Sequence, residues 1–479
     1  MTPLLVMLLE PYKNHNLFWE SLDRFEQLDP QLSQLKVQTY QYQSDLVDAM
    51  PLQTPGVYIL TGGRQVGKTT LLKQVILKSL KKKFWPQNRI LYLPCDTIQT
   101  CQQFTATLEE FFKTLDPQKP FGLFIDEVTY VEGWDRAIKF FADQGFFRRG
   151  TLVLTGSDSM ILKEAMMRFP GRRGIAPQTD FHLYPLSFCE FVSLKNPKIV
   201  QKVQSGRAGF QKDIFSILEN EEVLSMTPKN LDDLFSFWET YLLTGGFITA
   251  INAYERHQVI PPFVYQTYFQ WILGDFLKRG KREDYLKSIV GALVDKIGSQ
   301  LTLHSLLNDV VVDHHQTIQD YIYLMERMDI VKILQALQEN KLHTSTLGAP
   351  KKARKMHPAD PLIFHTLRGW AHQESDFYLA SQNFLKTPKA GFLVEAILAN
   401  LASRRWPVYY IKAEGEIDLA VIQGKMFLPI EIKNSLSPSR SDLKQILKYK
   451  KGILSTLSRE QGHYEHLKMI PIPILAILF

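Results

Sequence analysis

The stretch Gly62-Gly63-Arg64-Gln65-Val66-Gly67-Lys68-Thr69 decides how this chain is read. It satisfies G-x-x-x-x-G-K-[ST] at every fixed position. The apolar run VYILTG (57–62) before it reads as a short buried strand, and Lys68–Leu80 carries helical spacing directly behind it. A glycine-rich turn between strand and helix lets successive backbone N–H groups face phosphate oxygens, and the helix N-terminus adds a favourable partial charge. Gly62 and Gly67 supply the backbone freedom, while Gly63, Arg64, Gln65, Val66 and Thr70 complete the cradle. Lys68 is placed to reach the β- and γ-phosphates, and the Thr69 hydroxyl to ligate Mg²⁺. The expected ligands are ATP and Mg²⁺.

Working outward, RILYLPCD (89–96), FGLFIDEV (121–128) and TLVLTGS (151–157) are three more apolar runs with polar ends, separated by helical stretches. Such alternation indicates a parallel sheet in an α/β domain. Asp126 ends the second run and is the candidate second Mg²⁺ ligand; Glu127 is placed to polarise an attacking water. Taken alone, the pair also fits a strand end that opens a loop. Thr155 or Ser157, at the tip of the third run, faces the ligand crevice and could sense the γ-phosphate. Arg172 and Arg173 read either as an arginine finger for a neighbouring subunit or as a solvated basic turn.

At 479 residues the chain is long enough for two to four domains, and 45% hydrophobic with 22% charged residues excludes a disordered or collagen-like protein. Three cysteines (Cys95, Cys101, Cys189) are too few to staple such a fold, which suits a reducing compartment. The charge of +7 is uneven: residues 341–479 hold 20 Lys and Arg against 11 Asp and Glu. That third is the first suspect for a polyanion. MTPLLVMLLE (1–10) lacks a basic leader and a cleavage site, and no run approaches the roughly 18 apolar residues of a membrane span. The expectation is a cytoplasmic protein with no membrane contact.

Texture changes suggest a helical segment at 1–50, the P-loop core at 51–195, helices at 196–280, a compact helical module at 281–343, a basic linker or wing at 344–390, and a final α/β domain at 391–479. Within 281–343 the pattern predicts helices at 284–298, 302–309 and 313–328 and a strand at 330–334, the outline of a winged helix. Asp313 is its expected third N-cap, and His314, His315, Gln316 and Gln319 face outward, toward nucleic acid or toward a protein.

In the last domain Glu395 lies on a predicted helix, and Glu416-Ile417-Asp418 and Glu431-Ile432-Lys433 flank a turn at Gly424. In a hairpin, Asp418 and Glu431 can converge, with Lys433 beside Glu431 because residues i and i+2 share a face. Two carboxylates can hold a divalent metal, and lysine can orient water; a surface ion pair is the plainer use of Glu431 and Lys433. Gln445 and Tyr449 are expected on one face of a helix. Lys351, Lys352, Arg354, Lys355, Lys444, Lys448, Lys450 and Lys451 offer phosphate contacts, or merely a solvated face.

Six motifs in order (63–70, Asp126-Glu127, Leu154–Ser157, Gly171-Arg172, Tyr184–Phe188 and Tyr241–Phe247) resemble the prokaryotic AAA-type ATPases that carry a poorly characterised C-terminal domain, over residues 40–460. Gly63 stands where that family commonly has proline. The resemblance implies ATP hydrolysis on an AAA+ fold and a homo-oligomer, with a hexameric ring favoured. Residues 390–455 resemble the PD-(D/E)xK nucleases, and Gln445 to Tyr449 their RecB-like and archaeal-resolvase branches. This implies Mg²⁺ or Mn²⁺ at Glu395, Asp418 and Glu431. The expected fold class is α/β: an AAA+ P-loop parallel sheet with helices, a winged-helix module and a restriction-endonuclease-like α/β domain. The main functional expectation is an ATPase that remodels or moves along DNA, including branched DNA such as Holliday junctions. Rival expectations are an ATP-gated nuclease in genome defence and a nucleotide-switched protein-interaction module.

Overall fold

A computed structural model describes residues 9–156, 158–167, 169, 171–207, 213–218, 226–312, 314–339, 347–349 and 352–479. The residues before Leu9, together with Ser157, Asp313 and Lys351, lie outside these. The chain divides into two compact units, Met1–Tyr184 and Pro185–Phe479. The division falls ahead of the expected boundary at 195 for a local reason. The Leu186 N–H donates to the Gly246 carbonyl at 2.8 Å, and the Tyr241 hydroxyl donates to the Leu186 carbonyl at 2.8 Å. Residues from Pro185 onward are therefore tied to the later helices.

In the first unit, β1 (Gly56–Thr61), β2 (Ile90–Pro94), β3 (Phe121–Asp126), β4 (Gly150–Thr155) and β5 (Asp180–His182) form a parallel sheet in the order β2-β3-β4-β1-β5. β1 to β4 are buried at every position. That explains why their sequences are continuous apolar runs: each face of the sheet has its own core. Val57, Ile59, Leu123 and Ile125 point to one. Tyr58, Leu60, Tyr92 and Phe124 point to the other, with Leu72, Val75 and Ile76 of the helix Lys68–Lys81. The segment expected to be helical at 1–50 joins this second core through Phe18, Phe25, Leu32 and Val47. Because β4 lies between β1 and β3, the ends of these three strands stand side by side.

In the second unit the helices Glu283–Asp295, Leu303–Leu307 and His315–Arg327 precede β6 (Val331–Leu334), each within a few residues of expectation. β6 pairs antiparallel with β7 (Lys355–Pro358), Leu334 opposite Lys355. The stretch expected as a basic linker or wing thus holds a strand over 355–358 and helices beyond it. After β7 come the helices Pro361–Ala371 and Phe377–Leu385. The turn-forming residues start a helix instead of a loop: the Asp360 side chain accepts the Leu362 N–H at 2.8 Å and Pro361 occupies the first turn.

The final domain is a mixed sheet of β8 (Val408–Lys412), β9 (Glu416–Gln423), β10 (Met426–Lys433), β11 (Ile453–Thr456), β12 (Gly462–Tyr464) and β13 (Leu467–Pro471). Its order is β12-β13-β11-β10-β9-β8. β8, β9 and β10 run antiparallel, while β10, β11 and β13 are parallel. The helix Ala390–Ser403 is buried over most of its length, Glu395 included. The expected helix through Gln445 and Tyr449 is replaced by two 3₁₀ turns, Arg440–Leu443 and Ile446–Lys448. Leu443 and Ile446, three residues apart, both enter the core. That spacing suits three residues per turn rather than 3.6. Among the described residues no helix is long and apolar enough to cross a membrane.

Candidate functional site

The loop from Gly62 to Gly67 joins β1 to the helix Lys68–Lys81, as the sequence requires. Gly67 has φ 103°, a left-handed value that a side chain disfavours. A Cβ on Gly62 would sit 2.4 Å from the Leu183 carbonyl oxygen. The Lys68 ammonium is buried inside the loop, donating to the Gly62 and Gly63 carbonyls at 3.0 Å each and lying 3.7 Å from a Glu127 oxygen. Arg64 turns the other way and donates to the Tyr130 hydroxyl at 3.1 Å. Gln65 is exposed, while Val66 and Thr70 are half-buried beside it.

Asp126 gathers the ends of three strands. One oxygen accepts the Thr69 hydroxyl at 2.7 Å and the Tyr92 hydroxyl at 2.9 Å. Its other oxygen accepts the Thr155 hydroxyl, and Thr155 in turn accepts the Glu127 N–H at 2.9 Å. Thr155 is completely buried, so it orients the two acids instead of standing in the open crevice. Glu127 takes φ 52°, which turns it out of β3 and toward Lys68. Tyr92 was not legible beforehand as a partner, although its place one strand over is visible once β2 is aligned with β3. Burial first, and the Asp126 charge next, push its phenol upward, so it stays a proton donor. The donor set fits Mg²⁺ with ATP: Thr69 and Asp126 would hold the ion, which neutralises charge on the transferred phosphoryl group. Arg172 pairs with Asp143, and Arg173 donates twice to Asp180 at 2.9 Å, so both are engaged within their own unit.

The second cluster lies where the helix Ala390–Ser403 meets β9 and β10. Glu395, Glu416 and Asp418 bring one oxygen each within 4.8 Å of one another. Asp418 accepts the Ile432 N–H at 2.8 Å, and Lys433 pairs with Glu431 at 2.7 Å. Lys355, expected on a basic surface, is instead fully buried here. Its ammonium donates to Glu395 at 2.5 Å and pairs with Glu416. Burial opposes that charge, but Glu395, Asp418 and Glu416 outweigh it and hold the lysine above its ordinary pKa. Burial pushes Glu395 and Glu431 upward, and Asp418 adds to both, as expected where carboxylates outnumber ammonium groups. His357 is held neutral, its pKa lowered to about 3 by burial and then by Lys355. Gln445 accepts the Gly415 N–H at 3.1 Å, and Tyr449 donates to Glu339 at 3.0 Å. Glu416 was the residue within reach of sequence reading, since it shares a strand face with Asp418. Lys355 and His357 lie 40 and 38 positions from Glu395, with no local signal.

A phosphate loop on β1, an acid-tipped β3 and β4 between them define an AAA-type P-loop ATPase domain. Residues 54–192 match the AAA domain family, and residues 236–374 match a domain of unknown function (DUF8612). An uncharacterized protein of Haemophilus influenzae is 25% identical over 285 residues, 57% of this chain and 60% of its own length. The uncharacterized protein MJ1544 of Methanocaldococcus jannaschii is 22% identical over 350 residues, 68% and 70% of the two chains. Among solved structures, the Walker-type ATPase PABY2304 of Pyrococcus abyssi is 15% identical with a TM-score of 0.41, covering 68% of this chain and 94% of that one. The Aeropyrum pernix ORC1 protein, solved with DNA, is 12% identical with a TM-score of 0.29, covering 74% and 94%.

Proposed function

We propose that the chain hydrolyses ATP and uses that cycle to bind and remodel DNA, or to move along it. The observation that carries the hydrolytic part is the network in which Thr69, Tyr92 and Thr155 all donate to Asp126 while Thr155 accepts the Glu127 N–H. It fixes the metal-binding acid and the water-polarising acid relative to the phosphate loop before ligand arrives, which lowers reorganisation during the reaction. Glu127 then orients water and takes its proton, and Lys68 answers charge on the γ-phosphate.

Support for DNA is the exposed row Lys444, Lys448, Lys450 and Lys451 in the final domain, and the exposed His314, His315, Gln316 and Gln319 at the start of the third module helix. Three helices followed by the β6–β7 pair suit a winged helix, and phosphate contacts from lysine would make binding salt-dependent. The test is the rate of phosphate release with and without single-stranded, duplex and four-way DNA. Stimulation by one form supports the reading. If Glu127→Gln, which should hold ATP unhydrolysed, shows no salt-sensitive DNA affinity, the DNA part fails. Persistent hydrolysis in Lys68→Ala would remove the assigned site. Arg172 or Arg173 acting in trans within a ring is tested by mixing Arg172→Ala or Arg173→Ala subunits with Lys68→Ala subunits.

The cluster of Glu395, Asp418, Glu431 and Lys433 supports a second reading, a metal-dependent nuclease gated by ATP. Cleavage of labelled DNA with Mg²⁺ or Mn²⁺, lost in Asp418→Ala, separates it from the first.

A further inference from the structure

We propose that Lys355 is the built-in cation of the carboxylate cluster: its ammonium fills the position between Glu395 and Glu416, so that a divalent ion can bind there only when this lysine is removed. The inference rests on the nuclease-like reading of the final domain, whose acids would otherwise be free to take metal.

Three acids with oxygens within 4.8 Å are not by themselves a site. What marks this one is the set of buried polar atoms around it. His357 shares a strand face with Lys355, is fully buried, and has a hydrogen bond at neither ring nitrogen; its Nε2 lies 3.7 Å from Glu395. Glu431 Oε2 is also buried without a partner. Orphaned polar atoms of this kind are rare in protein interiors, and here both border the carboxylate cluster, His357 beside Glu395 and Glu431 beside Lys433.

Lys355 is held in that cluster by the fold. Its backbone is paired with Leu334 in the β6–β7 sheet, its side chain is 0% exposed, and its ammonium lies 5.6 Å from the centroid of the Tyr410 ring. An ammonium in such surroundings needs its carboxylates, because without them it is an unpaired buried charge. A dication on Glu395 and Glu416 would displace it from those partners and repel it at short range. The Glu395–Glu416 end is therefore closed to metal. With all four carboxylates (Glu395, Glu416, Asp418, Glu431) ionised against two ammonium groups (Lys355, Lys433), the formal charge is −2. One divalent ion matches this, and the end that fits it is Asp418 with the unpartnered Glu431 oxygen.

The experiment is the stoichiometry of Mn²⁺ binding to the full chain without nucleotide, read by the electron paramagnetic resonance signal of free Mn²⁺. Lys355→Met should bind one more ion per chain than the wild type, and Lys355→Arg the same number. Adding Glu395→Gln to Lys355→Met should abolish the gain. Equal stoichiometry in Lys355→Met and wild type overturns the inference. The wild-type count reports separately on the nuclease-like reading. One ion lost in Glu431→Gln supports that reading, and no ion at all sinks a metal-dependent nuclease while leaving the predicted gain intact. If Lys355→Met does not fold, amine acetylation of the wild type, followed by mass spectrometry, gives a second readout. Lys355 should label at least 100-fold more slowly than the exposed Lys352, with or without Mn²⁺. Rapid labelling, or labelling induced by Mn²⁺, overturns the proposal.

Discussion

Lys73 and Asp29 form an ion pair of 3.0 Å with both side chains almost completely buried. Lys73 lies one turn beyond Thr69 on the P-loop helix, donates to the His15 carbonyl at 2.8 Å and stands 3.5 Å from the Tyr92 ring centroid. Tyr92 in turn donates to Asp126. Asp29 uses its other oxygen to cap the helix Pro30–Lys36. The N-terminal segment is thereby linked to Asp126 through two side chains, Lys73 and Tyr92. Asp29→Asn leaves an unpaired buried ammonium and should cost about 3–5 kcal/mol, read as a lower urea midpoint. Lys73→Met with Asp29→Leu should recover much of that loss. An unchanged midpoint in the single variant would show that the pair does not hold this segment.

Thr155→Val keeps the shape of the β4 tip and removes both its donation to Asp126 and its acceptance from Glu127. Partners that orient a metal-binding group typically matter by about 10–100-fold. The maximal rate of phosphate release should fall by roughly that factor, with affinity for a fluorescent ATP analogue little changed. Equal loss of affinity and rate would place Thr155 in nucleotide binding instead.

Gly246 is where the two later motifs of the sequence meet. A Cβ there would lie 2.1 Å from the Leu186 carbonyl oxygen and 2.6 Å from its nitrogen. Gly246→Ala should destabilise by about 3 kcal/mol or drive the protein to the insoluble fraction, because backbone cannot yield as a flexible side chain can. Gly274→Ala is the contrast. That glycine lies in the helix Pro262–Lys278 with nothing within 4 Å of the new Cβ, so the change should stabilise by about 0.5–1 kcal/mol. Equal melting temperatures for the two variants would refute the steric account.

Asp360 has its pKa raised to about 6, first by burial, against hydrogen bonds from Gly246 and Leu362 that favour the carboxylate. In the unfolded chain it titrates near 3.8. Between those values the folded state holds the extra proton, so the contribution of Asp360 to stability is fully present below about pH 4 and is lost as pH rises through about 6. The wild type should therefore lose of order 1–3 kcal/mol relative to Asp360→Asn between pH 4 and pH 7 in urea titrations. A difference that stays constant over that range would show that the carboxyl titrates normally.

The nucleotide site was legible because its parts are local. Gly62 to Thr69 combine a strand end, a turn and a helix start within eight residues, and each of those has a residue preference of its own. The paired acids Asp126 and Glu127 end an apolar run that can only be a buried strand. The roles of Tyr92 and Thr155 needed the strand order, since β4 stands between β1 and β3 and brings Thr155 onto Asp126. In the final domain the Glu395, Asp418, Glu431 and Lys433 order was readable, but the helix through Gln445 and Tyr449 was not. Spacing of four suits one face of an α-helix, yet Leu443 and Ile446 reach the core by 3₁₀ turns. Hydrophobic contact decided what local periodicity left open.

By itself, the sequence determined the phosphate loop, the apolar strands around it and the concentration of positive charge beyond residue 340. These follow from backbone freedom, burial and composition, properties that neighbouring residues carry together. Only the tertiary structure decided that Lys355 is no part of that positive surface. A lysine amid Lys352, Arg354 and a turn has the local look of a solvated group. Its β-strand pairing with Leu334 and the arrival of Glu395 and Glu416 from distant segments bury it completely. Charge is visible in a sequence, but whether water or a carboxylate answers that charge is settled by what the fold brings beside it.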